Sequence, residues 1–165
     1  MIGYDRLGSN GQLGNQMFQY AATMGIADKI GVGCKIPRHN EIYDDGIGNK
    51  YTILLFDVFN LKNASYKGML NTVHYVQESH YHFDEEMFDL SKKENYSLYG
   101  FFQTEKYFKN VEQIIRKDFQ FKDEIQQPCD DMMQGILEEG QVVGLHIRRK
   151  DYLTNPNHHF VGIDY

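Results

Sequence analysis

Residues 8–15 read GSNGQLGN, a loop rich in glycine and polar side chains. A short extended element precedes the loop. Apolar side chains recur after it at three- and four-residue spacing, which predicts an amphipathic helix that Gly31 and Gly33 end. The apolar positions of this helix are Leu13, Met17, Tyr20, Ala21, Met24 and Ala27. A strand, a glycine-rich loop and a helix in this order are typical of the start of an α/β domain.

One strand and two helices are predicted further along the chain. Residues 98–102 (LYGFF) indicate a buried strand, and Thr104 can cap a following helix with one apolar stripe. That stripe consists of Tyr107, Phe108, Val111, Ile114 and Ile115. Another helix starts near Pro128 and ends at Gly140, and four of its apolar side chains are expected to face inward. They are Met132, Met133, Ile136 and Leu137.

The segment at 142–147 (VVGLHI) is almost continuously apolar, which predicts another strand. A strand of this kind is covered on both faces, as in a parallel sheet. No partner strand follows it, so we expect a second sheet to begin here and the chain to be truncated. The predicted organisation is an N-terminal α/β domain at 1–139 and the start of a second domain at 140–165.

Two arginines, Arg148 and Arg149, directly follow this predicted strand. Ligands of open α/β sheets lie outside the carboxyl ends of the strands. Because side chains alternate along a strand, His146 and Arg148 share one face while Arg149 points to the other. A guanidinium grips a phosphate through two hydrogen bonds, and Asp151 can orient one guanidinium by pairing with it. The pattern is expected around a nucleotide diphosphate. The alternative is two surface arginines with Asp151 as a solvated partner.

The loop at 8–15 is a second candidate for ligand binding. Its glycines let the backbone pass close to a ligand, and the following helix N-terminus favours an anion or hydroxyl groups. Asn15 and Gln16 add amide groups suited to sugar hydroxyls. The alternative is a tight turn from strand to helix, in which Asn15 caps the helix.

Composition excludes several classes of protein. The 17 Lys and Arg against 23 Asp and Glu give a net charge of −6, whereas a nucleic-acid binder needs clustered positive charge. No apolar run approaches the ~18 residues of a membrane helix, and no secretion signal is evident. Cys34 and Cys129 are too few for a disulfide framework. We therefore expect a cytoplasmic protein, with peripheral membrane association or a homo-oligomer left open.

A metal site is not expected. The chain has no Asp-x-Asp sequence, and only His80 and His82 among its histidines have plausible ligand spacing. A catalytic zinc needs three protein ligands. Stabilisation of a leaving diphosphate would then depend on positively charged side chains.

Three segments together resemble glycosyltransferase family 11, the α-1,2-fucosyltransferases. GQLGNQMFQYA at 11–21 is similar to the N-terminal signature of that family. GFFQTEKYF at 100–108, followed by IRKDF at 115–119, resembles its mid-chain block, and LHIRRKDY at 145–152 resembles its His-x-Arg-Arg-x-Asp-Tyr motif. The three segments keep the family's order and spacing from residue 11 to residue 152.

The resemblance implies a GT-B-like fold with an acceptor-side domain at 1–139 and a donor-binding, Rossmann-like domain that begins at 140–165. The implied reaction is inverting transfer of fucose from GDP-β-L-fucose to the 2-hydroxyl of a galactoside, with no cofactor or metal. Arg148 and Arg149 would bind the donor phosphates, and His146 and Asp151 would support them. The loop at Gly14, Asn15 and Gln16 would face the cleft between domains.

The catalytic base is not assigned by the resemblance, and Asp5 and His146 are candidates by residue type alone. Two positions depart from the family pattern. Gln12 replaces the second glycine before Leu-Gly-Asn-Gln, and Lys150 replaces the usual glycine of Arg-Arg-Gly-Asp-Tyr. Because family members continue past this point, the isolated 165-residue chain is expected to be inactive. The alternatives are a non-catalytic carbohydrate- or nucleotide-binding fragment and a transferase of another nucleotide sugar.

Overall fold

The structure, a computed structural model, describes residues 1–37, 43–44, 50–62, 66–68, 70 and 74–146, and only the backbone at 43–44, 50–51 and 66–67. The strands are β1 (Ile2–Gly3), β2 (Cys34–Ile36), β3 (Tyr43–Asp44), β4 (Lys50–Tyr51), β5 (Tyr66–Lys67), β6 (Tyr75–Gln77) and β7 (Tyr96–Tyr99). The helices are α1 (Leu13–Ile30), α2 (Leu55–Val58), α3 (Glu112–Asp118) and α4 (Asp123–Glu138), with 3-10 turns at Glu85–Phe88, Glu105–Tyr107 and Lys109–Val111. The chain forms two compact units, Met1–Gln126 and Gln127–Tyr165.

Five of the strands form one parallel sheet, in the order β5-β2-β1-β7-β6. Strand β1 lies at the centre, where Ile2 pairs with Cys34 on one side and with Tyr96 on the other. Ile2 and Tyr4 are fully buried, as expected for a parallel strand covered on both faces. Strands β3 and β4 form a separate antiparallel pair. The predicted α/β class is therefore confirmed.

Helix α1 agrees with its predicted extent. It packs against β1 and β2, and it ends where Gly31 adopts a left-handed conformation with φ of +77°. Its buried side also contains three polar residues that apolar spacing did not indicate, namely Gln16, Gln19 and Thr23. Gly25 allows the backbone of Tyr107 to approach, because a Cβ at this position would overlap the carbonyl oxygen of Tyr107.

The region after β7 differs from its prediction in detail. The strand predicted at 98–102 lies two residues earlier, at Tyr96–Tyr99. The single helix predicted after Thr104 is two 3-10 turns followed by α3. Thr104 caps the first turn by accepting a hydrogen bond from the Lys106 amide. Most of the apolar stripe holds, since Tyr107, Val111 and Ile115 are buried. Ile114 is exposed.

Helix α4 corrects two expectations. It begins at Asp123, so Pro128 lies inside the helix rather than at its start. The four apolar side chains predicted to face inward are exposed, and Met132 is 67% exposed. An apolar stripe shows that a face can be buried, but burial needs a covering surface, and the described part of the chain supplies none for these residues.

The prediction of a strand at 142–147 was also wrong for the residues that the structure describes, 142–146. Residues 141–146 belong to neither helix nor strand, and Val143 is 91% exposed; Ile147 lies outside the described residues. A strand of a parallel sheet needs a neighbour to accept and donate its backbone hydrogen bonds, and no strand pairing involves this segment within the described ranges. An apolar sequence alone does not supply that neighbour.

Among the helices that the structure describes, none has the length and apolar content needed to cross a bilayer.

Candidate functional site

The carboxyl edge of the central strands is the candidate site. From β1 the chain continues through α1 to β2 on one side, while β7 lies on the other side of β1. The strand that follows β1 in the chain (β2) and the strand that precedes β7 (β6) thus lie on opposite sides of the β1–β7 pair, and ligands of open α/β sheets bind outside the carboxyl ends of the strands where the strand order reverses in this way. We call this region the switch-point edge. It consists of the segment at 5–15 after β1, the residues at 78–81 after β6 and the residues at 100–103 after β7.

Two of the three motif segments meet at the switch-point edge. The Gln103 amide donates to Asn15 Oδ1 at 2.6 Å, which joins the segment at 100–108 to the segment at 11–21. The buried Gln19 amide donates both to the Gly100 carbonyl at 3.1 Å and to the Asn10 carbonyl at 3.0 Å. These contacts fix the loop after β1 against the loop after β7.

The buried Tyr4 side chain also holds the loop after β7. Its hydroxyl donates to the Gly100 carbonyl at 2.7 Å and accepts from the Gly100 amide at 3.0 Å. Burial raises the pKa of the Tyr4 phenol above its ordinary value, so the group stays protonated and remains a donor.

The loop residues proposed to face a cleft have different surroundings. Gly14 is exposed, and Asn15 is half-buried within the first turn of α1. Gln16 is buried and both ends of its amide are in use, because Nε2 donates to the Thr52 carbonyl at 3.1 Å and Oε1 accepts from the Leu54 amide at 2.8 Å. Gln16 therefore anchors the 52–54 segment in this structure.

The N-terminus of α1 settles two details of the loop. Gln12 occupies the N-cap position, so the alternative prediction that Asn15 caps the helix is wrong. Gln12 has ordinary extended backbone, with φ of −89° and ψ of −167°, and a side chain is tolerated there in place of glycine. Gly11 is different. Its φ is +87°, and a Cβ would overlap the Asn15 side chain.

Asp5 lies at the carboxyl end of β1 and is buried. Its Oδ1 accepts a hydrogen bond from the Leu70 amide at 2.6 Å, and its own backbone amide donates to Ser97 Oγ at 2.9 Å. The carboxylate thus helps to hold the 70 region against the end of β1. A role as catalytic base is a separate proposal.

Arg6 and Glu78 are candidate site residues that sequence patterns did not indicate. The Arg6 guanidinium lies 5.0 Å from the ring centre of Tyr75 and 5.2 Å from that of Tyr99. The Glu78 carboxylate accepts from the Phe101 amide at 2.7 Å and from the Phe102 amide at 3.1 Å. Each residue follows a strand of only two or three residues, too short to be recognised by periodicity.

The second group of predicted site residues is only partly described. His146 is exposed and belongs to the unit Gln127–Tyr165. Arg148, Arg149 and Asp151 lie outside the described residues, as does Lys150. Their placement and their relation to the switch-point edge stay predictions.

The His, Cys, Asp and Glu side chains of the described residues are the potential metal ligands. Within the described ranges, no three His, Cys, Asp or Glu side chains come close enough to hold a metal ion. The ring of His80 instead contacts the backbone carbonyl of His82, with Nδ1 at 3.2 Å from that oxygen.

Two of the motif segments meet at the carboxyl edge of this α/β fold, and comparison with known proteins gives the class, that of the glycosyltransferases. The model of glycosyl transferase family 11 matches residues 4–164, nearly the whole chain. The chain belongs to this family.

A curated relative and the solved structures add two findings. The O-antigen biosynthesis glycosyltransferase WbnK of Escherichia coli is 26% identical over 184 residues, a match that covers 90% of this chain and 59% of that protein. The chain thus spans about three-fifths of the length of this relative. No solved structure matches the chain.

Proposed function

We propose that this chain is part of an inverting glycosyltransferase that moves fucose from GDP-β-L-fucose to the 2-hydroxyl of a galactoside. The observation that carries the proposal is the Gln103–Asn15 contact, which joins two family segments at the carboxyl edge of a parallel sheet. A relative named for O-antigen biosynthesis supports a glycan as acceptor.

The proposed reaction is a single displacement. The acceptor hydroxyl oxygen forms a bond to C1 of fucose while the bond from C1 to the β-phosphate oxygen breaks, and the electron pair of that bond leaves with GDP. The hydroxyl proton passes to a base, for which Asp5 and His146 are candidates. Negative charge grows on the leaving diphosphate, and preorganised donors stabilise it.

Arg148 and Arg149 are proposed to supply those donors. A guanidinium is permanently charged and matches the geometry of phosphate oxygens, so two of them can replace a divalent cation in this role. His146 and Asp151 would support the arginines. Of the loop at Gly14, Asn15 and Gln16, the first two residues would line the reaction cleft, and the buried Gln16 would hold the loop in place. We further propose a GT-B-like arrangement with the acceptor side at 1–139 and the donor side from residue 140.

Arg148→Lys tests the phosphate role, because it keeps the charge and removes the two-pronged donor. In the longest protein that the gene encodes, we expect turnover and GDP affinity each to fall by about tenfold or more. Arg116→Lys is the matched control, since the Arg116 guanidinium pairs with Glu112 on the surface at 2.8 Å. Turnover and GDP affinity that are unchanged in Arg148→Lys would contradict the assignment. Calorimetric titration of the same protein with a panel of nucleotide sugars distinguishes GDP-fucose from other donors.

A further inference from the structure

A cavity of about 370 Å³ opens at the switch-point edge beside the motif segments. It lies where β6 and β7 end, and we call it the aromatic pocket. Its lining residues are Asn10, Gln77, Glu78, Ser79, His80, Tyr81, Tyr99, Gly100 and Phe101. The volume lies at the lower end of the range of ~300–1,000 Å³ that is typical of small-molecule sites.

The walls of the aromatic pocket are fixed by internal hydrogen bonds. The Glu78 carboxylate binds the amides of Phe101 and Phe102, and the Tyr99 hydroxyl donates to Asn10 Oδ1 at 3.3 Å. Phe102 has a φ of +52°, an uncommon conformation for a residue other than glycine, and it is held there by these contacts. A pocket whose walls are already ordered loses little conformational entropy when a ligand binds.

Two aromatic rings are presented at this pocket. Tyr81 is 77% exposed, and its ring centre lies 6.0 Å from that of the half-buried Phe101, with the planes inclined by 36°. Aromatic rings offer a large and rigid contact surface at a small entropy cost, and the apolar C–H face of a sugar ring is a suitable partner.

The charge of the pocket excludes the donor diphosphate as its ligand. None of the lining residues is Lys or Arg, and the one acidic lining group, Glu78, would repel an anion. The Glu78 oxygens already accept backbone hydrogen bonds, so this carboxylate is not a free cation ligand either. The remaining polar groups are amides, hydroxyls and an imidazole, which match a neutral ligand with many hydroxyl groups.

We infer that the aromatic pocket binds a neutral saccharide, stacked on Tyr81 and Phe101. The identification of this saccharide as the galactoside acceptor rests on the proposed function. The saccharide site itself depends only on the composition and geometry of the pocket.

The test is a titration of the ¹⁵N-labelled chain with methyl β-D-galactoside and with lactose, followed by NMR. We expect saturable shifts at residues 77–81 and 99–101. Tyr81→Ala should weaken saccharide binding by about tenfold, because it removes an aromatic anchor. Tyr81→Phe, which keeps the ring, should retain most of the affinity. Since Tyr81 is exposed, neither change should unfold the chain.

Tyr96→Ala is the matched control, because Tyr96 begins β7 at the opposite end from the pocket, and its hydroxyl donates to Glu94. Saccharide binding should be unchanged in this variant. Absence of saccharide binding, equal binding by wild type and Tyr81→Ala, or shifts at 77–81 caused by GDP instead would each overturn the inference. The pocket assignment and the proposed function can fail separately. If Tyr81→Ala loses saccharide binding but the longest protein that the gene encodes transfers no fucose, the proposed function is refuted and the pocket assignment stands.

Discussion

Tyr20 and Asp118 form a buried pair that links α1 to α3. The Tyr20 hydroxyl donates to Asp118 Oδ2, and Asp118 Oδ1 accepts from the Lys62 amide at 3.0 Å. Both residues are fully buried, so loss of either partner leaves the polar group of the other without this hydrogen bond in the core. Burial and the hydrogen bond to Asp118 raise the pKa of Tyr20 above its ordinary value.

The Tyr20 pair predicts how stability depends on alkaline pH. A raised pKa in the folded state means that the stabilisation is complete below the ordinary phenol pKa of about 10 and is lost as pH rises above it. Tyr4 acts in the same direction. The free energy of unfolding from urea titrations should therefore fall between pH 7 and about pH 11.

Tyr20→Phe should lower the free energy of unfolding at pH 7 by about 1–3 kcal/mol, and its alkaline loss should be smaller than that of the wild type. Tyr81→Phe is the control, since this ring is exposed and both effects should be absent. An equal alkaline loss in the wild type and in Tyr20→Phe would contradict this account of the pair.

Arg6 and Glu78 were not predicted as site residues because neither belongs to a recognised sequence motif. Arg6 and Glu78 are single charged residues, and their importance comes from the strand ends that place them beside Tyr99 and Phe101. Gln16 was expected to offer its amide to a sugar, but in the structure the amide binds the 52–54 backbone. Such pairings between distant segments leave no periodic pattern in the sequence.

At the level of the elements, helix α1 was predictable because its apolar spacing and Gly31 are local signals. Strand β7 was recognised with a shift of two residues. The strand predicted at 142–147 and the inward face of α4 were wrong, because both needed a tertiary partner that local sequence cannot specify. Helical and strand patterns indicate which faces can be buried, and packing determines which of them are.

Gly25 is expected to be the most sensitive glycine of α1. A Cβ there would lie 2.5 Å from Phe108 Cα and would overlap the Tyr107 carbonyl oxygen, and backbone atoms cannot move aside as a flexible side chain can. Gly25→Ala should therefore destabilise the chain by about 1–3 kcal/mol despite the better helix propensity of alanine.

The same substitution at Gly14 is the matched control in the same helix. Nothing lies within 4 Å of a Cβ at this position, so Gly14→Ala should be neutral or stabilising by about 0.5 kcal/mol. Thermal unfolding of the two variants gives the comparison. If both variants unfold at the wild-type temperature, α1 does not pack against the 107–108 backbone as described.

For the whole molecule, the family match extends over residues 4–164, whereas the described residues end at His146. A net charge of −6 also bears on the proposed donor, because an acidic protein repels a diphosphate unless positive charge is concentrated at the binding site. Arg148 and Arg149 are the residues proposed to provide that local charge.

Product analysis is the decisive measurement for the proposed transfer. The longest protein that the gene encodes is incubated with GDP-β-L-fucose and lactose, and the products are identified by NMR and mass spectrometry. We predict one GDP released for each fucose transferred, with an α-linked fucose on the galactose 2-hydroxyl. A folded protein that releases no GDP and forms no fucosylated product, or that transfers a different sugar in preference to fucose, would contradict the account.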